Sequence, residues 1–505
     1  MNKVDTYIEK VIKRGDKGSA LLAKICAPTL KNSEFVEVLE DGMNGVAVLR
    51  IPESHVVAVH SSGGDPKQEN LKPYAESVVD RLVEQALLIG ATPLAFADDI
   101  NSNTGDISMI TEIGGALTEK ANRAGLVIMN GENAILGARV SPLYQANISA
   151  TMISLIDRSS KFNKLDNEDF VRLILGGGTF VGQKDGVNYA VFDPKGEAIY
   201  ANCDGVGTKV EFYERTRRWE LGIEDWMAMV FDDTMKLGAR ARALSGVAEL
   251  DEEHYGVFSK IESHTLSFTS RKRGFGNLAC IIQQEIVGKR ICGFADGKQA
   301  YNISGSVVST IDEERLKNPL KPGAGEHLIA IRGKPTPRSN GITDKRKIAI
   351  RLFGENYQDT KEGKLFLEYL AEPSTVLYPV FKELVDNDLA TSVYHMSGGA
   401  YDSKLAKPLA KHDLFVSIDN LFPPDWRELA LVGANFTSAE TSYSKWPMGN
   451  EGFITTKDPK KAIEMIKQFG LEAIDVGILE NAAGEKTGVE LKAFNGEKVY
   501  FSGRN

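Results

Sequence analysis

Between Tyr74 and Ile89 the apolar residues Val78, Val79, Leu82, Ala86 and Ile89 fall on one stripe. That spacing predicts an amphipathic helix. Gly90-Ala91 stops it and Pro93 opens the next segment. Apolar runs at Val46–Leu49, Val56–Val59, Leu94–Ala97, Leu126–Met129 and Ala146–Ile156 read as strands, and a second helix is expected from about Ser108 to Arg123, ending at Gly125. Upstream, residues 1 to about 34 read as mostly helical, with Ile8, Val11 and Ile12 on one face and a basic loop at Lys13–Gly18.

The pattern then recurs. An alternating run ends in a strand at Asn202. A helix is expected from about Ile223 to Leu237, and it stops at Gly238-Ala239 as the first stops at Gly90-Ala91. A later helix is read at Leu278–Val287, with a short strand at Arg290–Phe294. The closing run Asn302-Ile303-Ser304-Gly305-Ser306-Val307-Val308-Ser309-Thr310-Ile311-Asp312 mirrors Asn147-Ile148-Ser149-Ala150-Thr151-Met152-Ile153-Ser154-Leu155-Ile156-Asp157. Such self-similarity indicates a duplicated unit of roughly 150 residues. The polar stretch Asp157–Asp169, before Gly176-Gly177-Gly178, reads as a linker between the copies, and Asp312–Gly325 as a second linker. This divides the chain into residues 1–160, 161–320 and 321–505.

The last third is a different α/β module. Strands are expected at Leu328–Ile331, Thr391–Tyr394, Phe453–Thr456 and, as the last, Ala473–Leu479. Helices are expected at Thr375–Val385, after Pro423-Pro424 and at Lys460–Phe469.

Composition narrows the classes. A chain of 505 residues with 42% hydrophobic and 26% charged content is ordinary for globular domains. Its net charge of −9 argues against a nucleic-acid partner, which needs a basic surface, but not against a nucleotide. Four cysteines (Cys26, Cys203, Cys280, Cys292) are too sparse for a disulfide framework and lack metal-site pairing. With no apolar run long enough to span a bilayer, the expectation is a cytoplasmic protein with no membrane partner.

Candidate chemistry centres on Asp204-Gly205-Val206-Gly207-Thr208-Lys209, at the end of a strand. Glycines let a backbone approach a ligand closely; backbone N–H groups, Thr208 and Lys209 offer donors and positive charge to phosphate. Asp204 offers the hard oxygen that Mg²⁺ prefers. Asp-Gly at a strand end is also what a plain turn looks like.

The order of these motifs resembles the aminoimidazole ribonucleotide synthetase (phosphoribosylformylglycinamidine cyclo-ligase) family. Its superfamily includes selenophosphate synthetase, thiamine-monophosphate kinase and the formylglycinamide ribonucleotide amidotransferase. The family's Asp-Gly-Val-Gly-Thr-Lys stands at Asp204–Lys209. Its Asn-Asp helix pair before Gly-Ala corresponds to Asp232-Asp233, and its Ser-Asn-Gly loop to Ser339-Asn340-Gly341. Its His-Leu/Ile-Thr-Gly-Gly-Gly run corresponds to His395-Met396-Ser397-Gly398-Gly399-Ala400, and its Met-Gly loop is similar to Met448–Phe453. The likeness covers about residues 170–500, and weakly the first 160.

The two copies are degenerate in complementary places. The first keeps an Asp after Gly-Ala-x-Pro (Asp98) and a Gly-Glu loop (Gly131-Glu132), but has Gly63–Lys67 for the phosphate loop and Glu84-Gln85 for the helix pair. The second keeps the phosphate loop and Asp233, but has Gly246 for the Asp and Phe294-Ala295-Asp296 for the Glu loop. The resemblance implies an α+β fold in which two half-barrel, ferredoxin-like copies pair into one β-barrel, followed by a C-terminal α/β domain. The chain is then a monomer with an internal pseudo-dimer, or a homodimer.

The resemblance also implies ATP and Mg²⁺ as cofactors, formylglycinamidine ribonucleotide as substrate, and ring closure with release of ADP and phosphate. One composite site is expected. Asp204, Gly205, Gly207, Thr208, Lys209, Asp98 and Glu132 would bind nucleotide, and Asp98, Glu132, Asp204 and Asp233 the metal. Arg338, Ser339, Asn340, His395, Gly398 and Gly399 would bind substrate, with His395, Asp204 and Asp233 catalytic. Arg338 replaces a family His and cannot serve as a neutral base, though it can clamp phosphate. Asn450-Glu451 adds an acid to the Met-Gly loop. A related ATP-dependent enzyme with another acceptor, or a non-catalytic nucleotide-binding subunit, are the competing readings.

Overall fold

A computed structural model describes residues 18–39, 46–159, 173–175, 179–251, 255–271, 274–276, 278–293, 300–434, 437–482 and 486–504. The expected helix before Gly18, the Asp157–Asp169 linker beyond Ser159, Gly176-Gly177-Gly178 and Phe294-Ala295-Asp296 lie outside these residues. The chain forms two units. One comprises residues 1–214 and 239–319, the other 215–238 and 320–505.

The first unit contains β1 (Val36–Leu39), β2 (Val46–Leu49), β3 (His55–Gly63), β4 (Thr92–Ser102), β5 (Val127–Ile135), β6 (Ala146–Asp157) and β7 (Leu173–Leu175). It continues with β8 (Thr179–Lys184), β9 (Val187–Phe192), β10 (Ala198–Gly205), β11 (Arg240–Leu250), β12 (Ala279–Ile286) and β13 (Tyr301–Ile311). These strands make two sheets, β5-β4-β6-β3-β9-β8-β7 and β1-β2-β10-β13-β11-β12. Inside them, β5-β4-β6-β3 and β12-β11-β13-β10 have one topology: β4–β5 and β11–β12 are parallel and the other pairings antiparallel. The strands also cross between halves, since β2 pairs with β10 and β9 with β3.

The sheets lie face to face over a shared core. Val57, Val59, Ala95, Ala97, Ile153 and Phe192 from one meet Ile199, Ala201, Ala243, Ile281 and Val308 from the other. Fully burying each larger aliphatic side chain contributes about 1.5–3 kcal/mol. The expected closed barrel is not what the strand pairing gives. Among the described residues one isolated antiparallel bridge, Val140–Ile291, links the segments that follow β5 and β12. Each sheet otherwise keeps its own edges.

Outside the seven-stranded sheet, the helices Leu71–Leu88 and Ile107–Ala124 pack Tyr74, Val78, Leu82, Ile113 and Leu117 onto Phe96, Ile128, Ile148 and Met152. Gly125 closes the second helix at φ 67°, the left-handed conformation that favours glycine.

Three expectations on secondary structure need correction. The expected helix Leu278–Val287 is instead the strand Ala279–Ile286: Cys280, Ile281, Ile282 and Ile286 are β-branched or small, and eight residues suit a strand better than a helix. Arg290–Gly293 is no strand, Gly288–Arg290 being a 3-10 turn, and Phe294 lies outside the described residues. Glu472–Ile478 is not the last strand, because Glu480–Asn481, Gly488–Lys492 and Lys498–Phe501 follow it and form a second small sheet with Leu414–Ile418.

The second unit has an antiparallel sheet in the order Ser392–His395, Gly452–Thr456, His327–Arg332, Glu472–Ile478. The helix Gly222–Thr234 belongs to this unit. No helix among the described residues is long and apolar enough to cross a membrane, and none of the four cysteines forms a disulfide.

Candidate functional site

The sequence-derived site residues fall into two groups. Asp98, Glu132, Asp204, Gly205, Gly207, Thr208 and Lys209 lie in the first unit. Asp233, Arg338, Ser339, Asn340, His395, Gly398 and Gly399 lie in the second.

In the first unit the strands run further than their apolar cores suggested. Asp98 and Asp99 sit within β4, and Glu132 within β5, opposite Asp99 in register. Alternation therefore sends Asp98 and Asp99 to opposite faces of the sheet. Asp99 faces the other sheet: a side chain on Gly205 would lie 3.3 Å from its Oδ2. Gly205 thus gives room to a carboxylate, an acid-on-glycine approach that any Cβ would crowd. Asn101 donates to Asp99 Oδ1 at 2.6 Å, while Oδ2 has no partner. Burial pushes the Asp99 carboxyl well up, and Asp204, Glu249 and Glu132 push it further.

Asp98 turns to the outer face, under the helix Gly18–Cys26. Leu22, Cys26, Leu30, Ile128 and Gly131 line a cavity of about 60 Å³ against it. It is fully buried and neither carboxylate oxygen has a hydrogen-bond partner. Burial, with Glu132 adding to it, raises its pKa to about 8. Gly131 is required here, since a Cβ would meet both Asp98 oxygens at 3.0 Å. Ser19 of the covering helix donates to Glu132 Oε1 at 3.1 Å.

Across the sheet interface, Ser149 and Ser304 meet at 2.6 Å and Cys203 Sγ donates to the Asp98 carbonyl at 3.2 Å. Asp204 Oδ1 accepts from the Gly205 N–H at 2.7 Å. Gly207 takes φ 70° and starts the turn Gly207–Lys209. Thr208 is nearly buried and Lys209 fully so, its Nζ 5.9 Å from the Tyr213 ring centre.

Asp99, Glu132, Asp204 and Asp98 form one electrostatically coupled acidic locus. Among the described residues no three His, Cys, Asp or Glu side chains converge as a ready-made metal site. Buried carboxylate oxygens without partners nevertheless fit a cation, and Mg²⁺ usually completes its shell with water and phosphate oxygens rather than an all-protein cage.

In the second unit His395 ends the strand Ser392–His395. Its Nδ1 lies 3.2 Å from Asp232 Oδ2 and 2.9 Å from an Arg338 Nη2. Its Nε2 lies 3.7 Å from Asp233 and has no hydrogen-bond partner. Burial lowers its pKa to about 4 despite Asp233 and Asp232, with Arg338 adding to the fall. The ring is thus neutral at pH 7 and carries one N–H. Asp232 Oδ1 accepts from Leu377 N and Tyr378 N at 2.8 and 2.7 Å, at the start of the helix Tyr378–Asp386. Burial works against the Asp233 charge, but Lys236, Lys404 and His395 outweigh it and hold the carboxyl well below its usual range.

Arg338 is 1% exposed, and its guanidinium donates to Asp232 and to the Thr375 carbonyl, with Glu451 3.8 Å away. Burial raises the Glu451 carboxyl, while Arg338 opposes the rise. Three non-glycine residues here, Arg338, Ala400 and Met448, hold positive φ of 49°, 36° and 47°. Strained backbone of this kind collects at functional sites. Asn340 Nδ2 donates to the Met396 carbonyl at 3.1 Å, and the buried Ser339 Oγ has no partner. Gly398 is exposed with open space at its Cα, and Gly399 takes φ 82°.

Sequence reasoning did not single out Asp99, Asp232, Lys236 or Lys404 as site residues. Asp99 was discoverable from its place beside Asp98 in a strand, where adjacent acids must face opposite ways. Lys404 carried no local signal.

Comparison with known proteins bears on the class first. Residues 43–156 match the AIR synthase related protein, N-terminal domain. The match falls on the first half, not on the half with Asp204–Lys209. Among relatives, the chain is 28% identical to phosphoribosylformylglycinamidine cyclo-ligase of Thermococcus kodakarensis, over 42% of this chain and 60% of that protein. It is 24% identical to the cyclo-ligase of Clostridium perfringens, over 58% of this chain and 84% of that one. The chain thus carries an AIR synthase related domain and is similar at low identity to several cyclo-ligases. Among solved structures, E. coli HypE, a hydrogenase maturation protein, aligns at TM-score 0.39 and 14% identity, covering 60% of this chain and 85% of that one.

Proposed function

We propose that this chain is an ATP-dependent enzyme that closes the imidazole ring of formylglycinamidine ribonucleotide, releasing ADP and phosphate. The similarity to cyclo-ligases supports the reaction, and the acidic locus supports nucleotide held through Mg²⁺. The observation that carries the nucleotide reading is Asp99 facing Gly205 and coupled to Asp204 and Glu132. Acids beside a buried carboxylate oppose its ionisation unless a cation joins them. Bound Mg²⁺ would neutralise phosphate charge as it develops.

In this reading the two halves are a duplication that retains one composite locus, in a cytoplasmic enzyme without nucleic-acid or membrane partners. The Gly205–Lys209 turn approaches phosphate with backbone N–H groups, and Thr208 adds a hydroxyl. Asp99 and Asp204 would hold the metal together with phosphate oxygens and water, with Glu132 and Asp98 adding negative charge nearby. In the second unit, His395 Nε2 is the exchangeable position on a neutral ring and handles a substrate proton. Asp232 fixes the ring, and Asp233 faces Nε2. Ser339, Asn340 and the open Gly398-Gly399 turn bind substrate, whereas the Arg338 guanidinium is engaged by Asp232 and Thr375.

That engagement favours a second reading, the same ATP chemistry on a different acceptor. Purified protein with Mg-ATP, with and without formylglycinamidine ribonucleotide, separates them. Substrate-dependent ADP with matching aminoimidazole product is the expected result. ATP turnover indifferent to this substrate would select another acceptor, and binding without turnover a nucleotide-binding subunit.

A further inference from the structure

The four-stranded cores β5-β4-β6-β3 and β12-β11-β13-β10 give residues of one half counterparts in the other. Aligning Asn147–Asp157 with Asn302–Asp312 and reading across the registers pairs Asp204 with Ser62 and Gly205 with Gly63. The same reading pairs Asp98 with Gly246 and Asp99 with Val247. One strand further, Glu132 pairs with Gln283 and Ala134 with Glu285. The bridge Val140–Ile291 and the Ser149–Ser304 contact join counterparts directly, as an internal two-fold requires.

The mirror locus has therefore lost all four acids. It has gained Glu249, the counterpart of Asn101, and Glu285 opposite it, and Arg81 faces Glu285. Arg81 Nη2 lies 2.8 and 2.9 Å from the two Glu285 oxygens. Arg81 Nη1 donates to the carbonyls of Gly63 and Gly64 at 3.0 and 2.9 Å. Ser62 Oγ donates to Glu285 Oε1 at 3.1 Å, and Gln85 to Ser62 Oγ at 3.3 Å. A guanidinium surrounded by a carboxylate and two carbonyls sits at the strand end whose counterpart is Asp204-Gly205-Val206. Counting back from Gly90-Ala91 and Gly238-Ala239, Arg81 stands where the other half has Met229.

We propose that Arg81 is a built-in cation. It fills the mirror locus where an external cation would serve at the acidic one, and it limits the chain to one nucleotide site. This rests on the nucleotide reading above only for the count of sites; the filled locus is a separate claim. Glu285, two carbonyls and Ser62 form a receptor for a guanidinium, so the receptor should outlast the loss of its side chain.

Two measurements on the full chain test this. Methylguanidinium is titrated into wild type, Arg81→Ala and Arg81→Ala with Glu285→Gln while thermal unfolding is followed. The expected result is a saturable rise in Tm for Arg81→Ala alone; an equal shift in all three, or none in Arg81→Ala, overturns the built-in cation. Should Arg81→Ala not fold, Arg81→Lys replaces it. A filled cage predicts that Lys, a cation without the guanidinium fork, lowers Tm more in wild type than in Glu285→Gln. Equal losses in the two backgrounds overturn it. The second measurement is the stoichiometry of Mg-AMPPNP by calorimetry. One per chain, abolished by Glu132→Gln and kept by Glu285→Gln, supports the single site, and two per chain overturns it. No binding at all removes the nucleotide reading and the site count with it, while the methylguanidinium titration still decides the role of Arg81.

Discussion

The acidic locus at Asp99, Glu132 and Asp204 and its mirror at Val247, Gln283 and Ser62 share strand order, register and handedness. They differ in what neutralises charge. At the first, burial and the neighbouring Asp204, Glu249 and Glu132 push the Asp99 carboxyl well up. At the second, one carboxylate meets an arginine of the same unit. The same scaffold thus sets Asp99 among other acids in one half and pairs Glu285 with Arg81 in the other, beside a second buried acid, Glu249, whose pKa burial raises to about 7. A fold that needed the acids for stability would not discard them wherever it could. Asp98 and Asp99, buried with carboxylate oxygens that have no hydrogen-bond partner, have no acid at their mirror positions Gly246 and Val247.

The comparison can be broken in several ways. The largest effect is expected on turnover. Glu132→Ala or Asp204→Ala should lower ATP-dependent turnover by at least about 100-fold, the scale of losing one preorganised electrostatic contact. Gln283→Ala and Ser62→Ala, their mirror substitutions, should leave it nearly unchanged. Equal losses at both positions in a steady-state assay would erase the distinction between the loci.

Next comes stability in the second unit. Arg338→Met removes the counter-charge of buried Asp232 and should cost about 3–5 kcal/mol, as breaking a buried ion pair does. Urea denaturation measures it. A loss below about 1 kcal/mol, the range of surface pairs, would mean that Arg338 faces a ligand rather than holding the loop.

The two loci should then respond oppositely to charge removal. Arg81→Ala, at a partly exposed pair, should destabilise by about 1–3 kcal/mol because Glu285 is left with fewer partners. Asp99→Asn should raise Tm in the absence of ligand. A fall in Tm on Asp99→Asn would show that the acidic locus is already compensated.

A smaller effect is expected from pH. Asp98, raised to about 8, keeps a proton in the folded chain that the unfolded chain gives up near pH 4 or so. Its contribution is fully present below the unfolded pKa and is lost as pH rises through about 8. Ligand-free stability should therefore decline between these limits, and Asp98→Asn should flatten the decline in a series of unfolding curves. The smallest change, about 0.5–1.5 kcal/mol, is expected for Ser304→Ala, which removes one hydrogen bond at the internal two-fold.

Much of the first unit was legible in the chain. The twin closing strands, the Gly-Ala helix stops and the phosphate loop were all local patterns, and the strand ending at Gly205 was found to within a few residues. The Gly246 counterpart of Asp98 was also readable, and the register agrees with it. The strand Ala279–Ile286 was misread because a short apolar run has no decisive period. That error moved the counterpart of Glu132 to Phe294–Asp296, whereas the register gives Gln283.

What the sequence by itself determined was the likeness of the two closing strands and the chemistry of the acids, because those depend on residue type and spacing along one chain. Only the tertiary structure decided which acids meet. Adjacent residues on a strand point to opposite faces, so Asp99 rather than Asp98 faces Gly205, and that choice depends on a register set between strands distant in sequence. The partners of Arg81 and of Arg338 were settled in the same way. An ion pair such as Arg81–Glu285, whose members lie 204 residues apart, leaves no local signature, since it exists only once the sheets have brought them together.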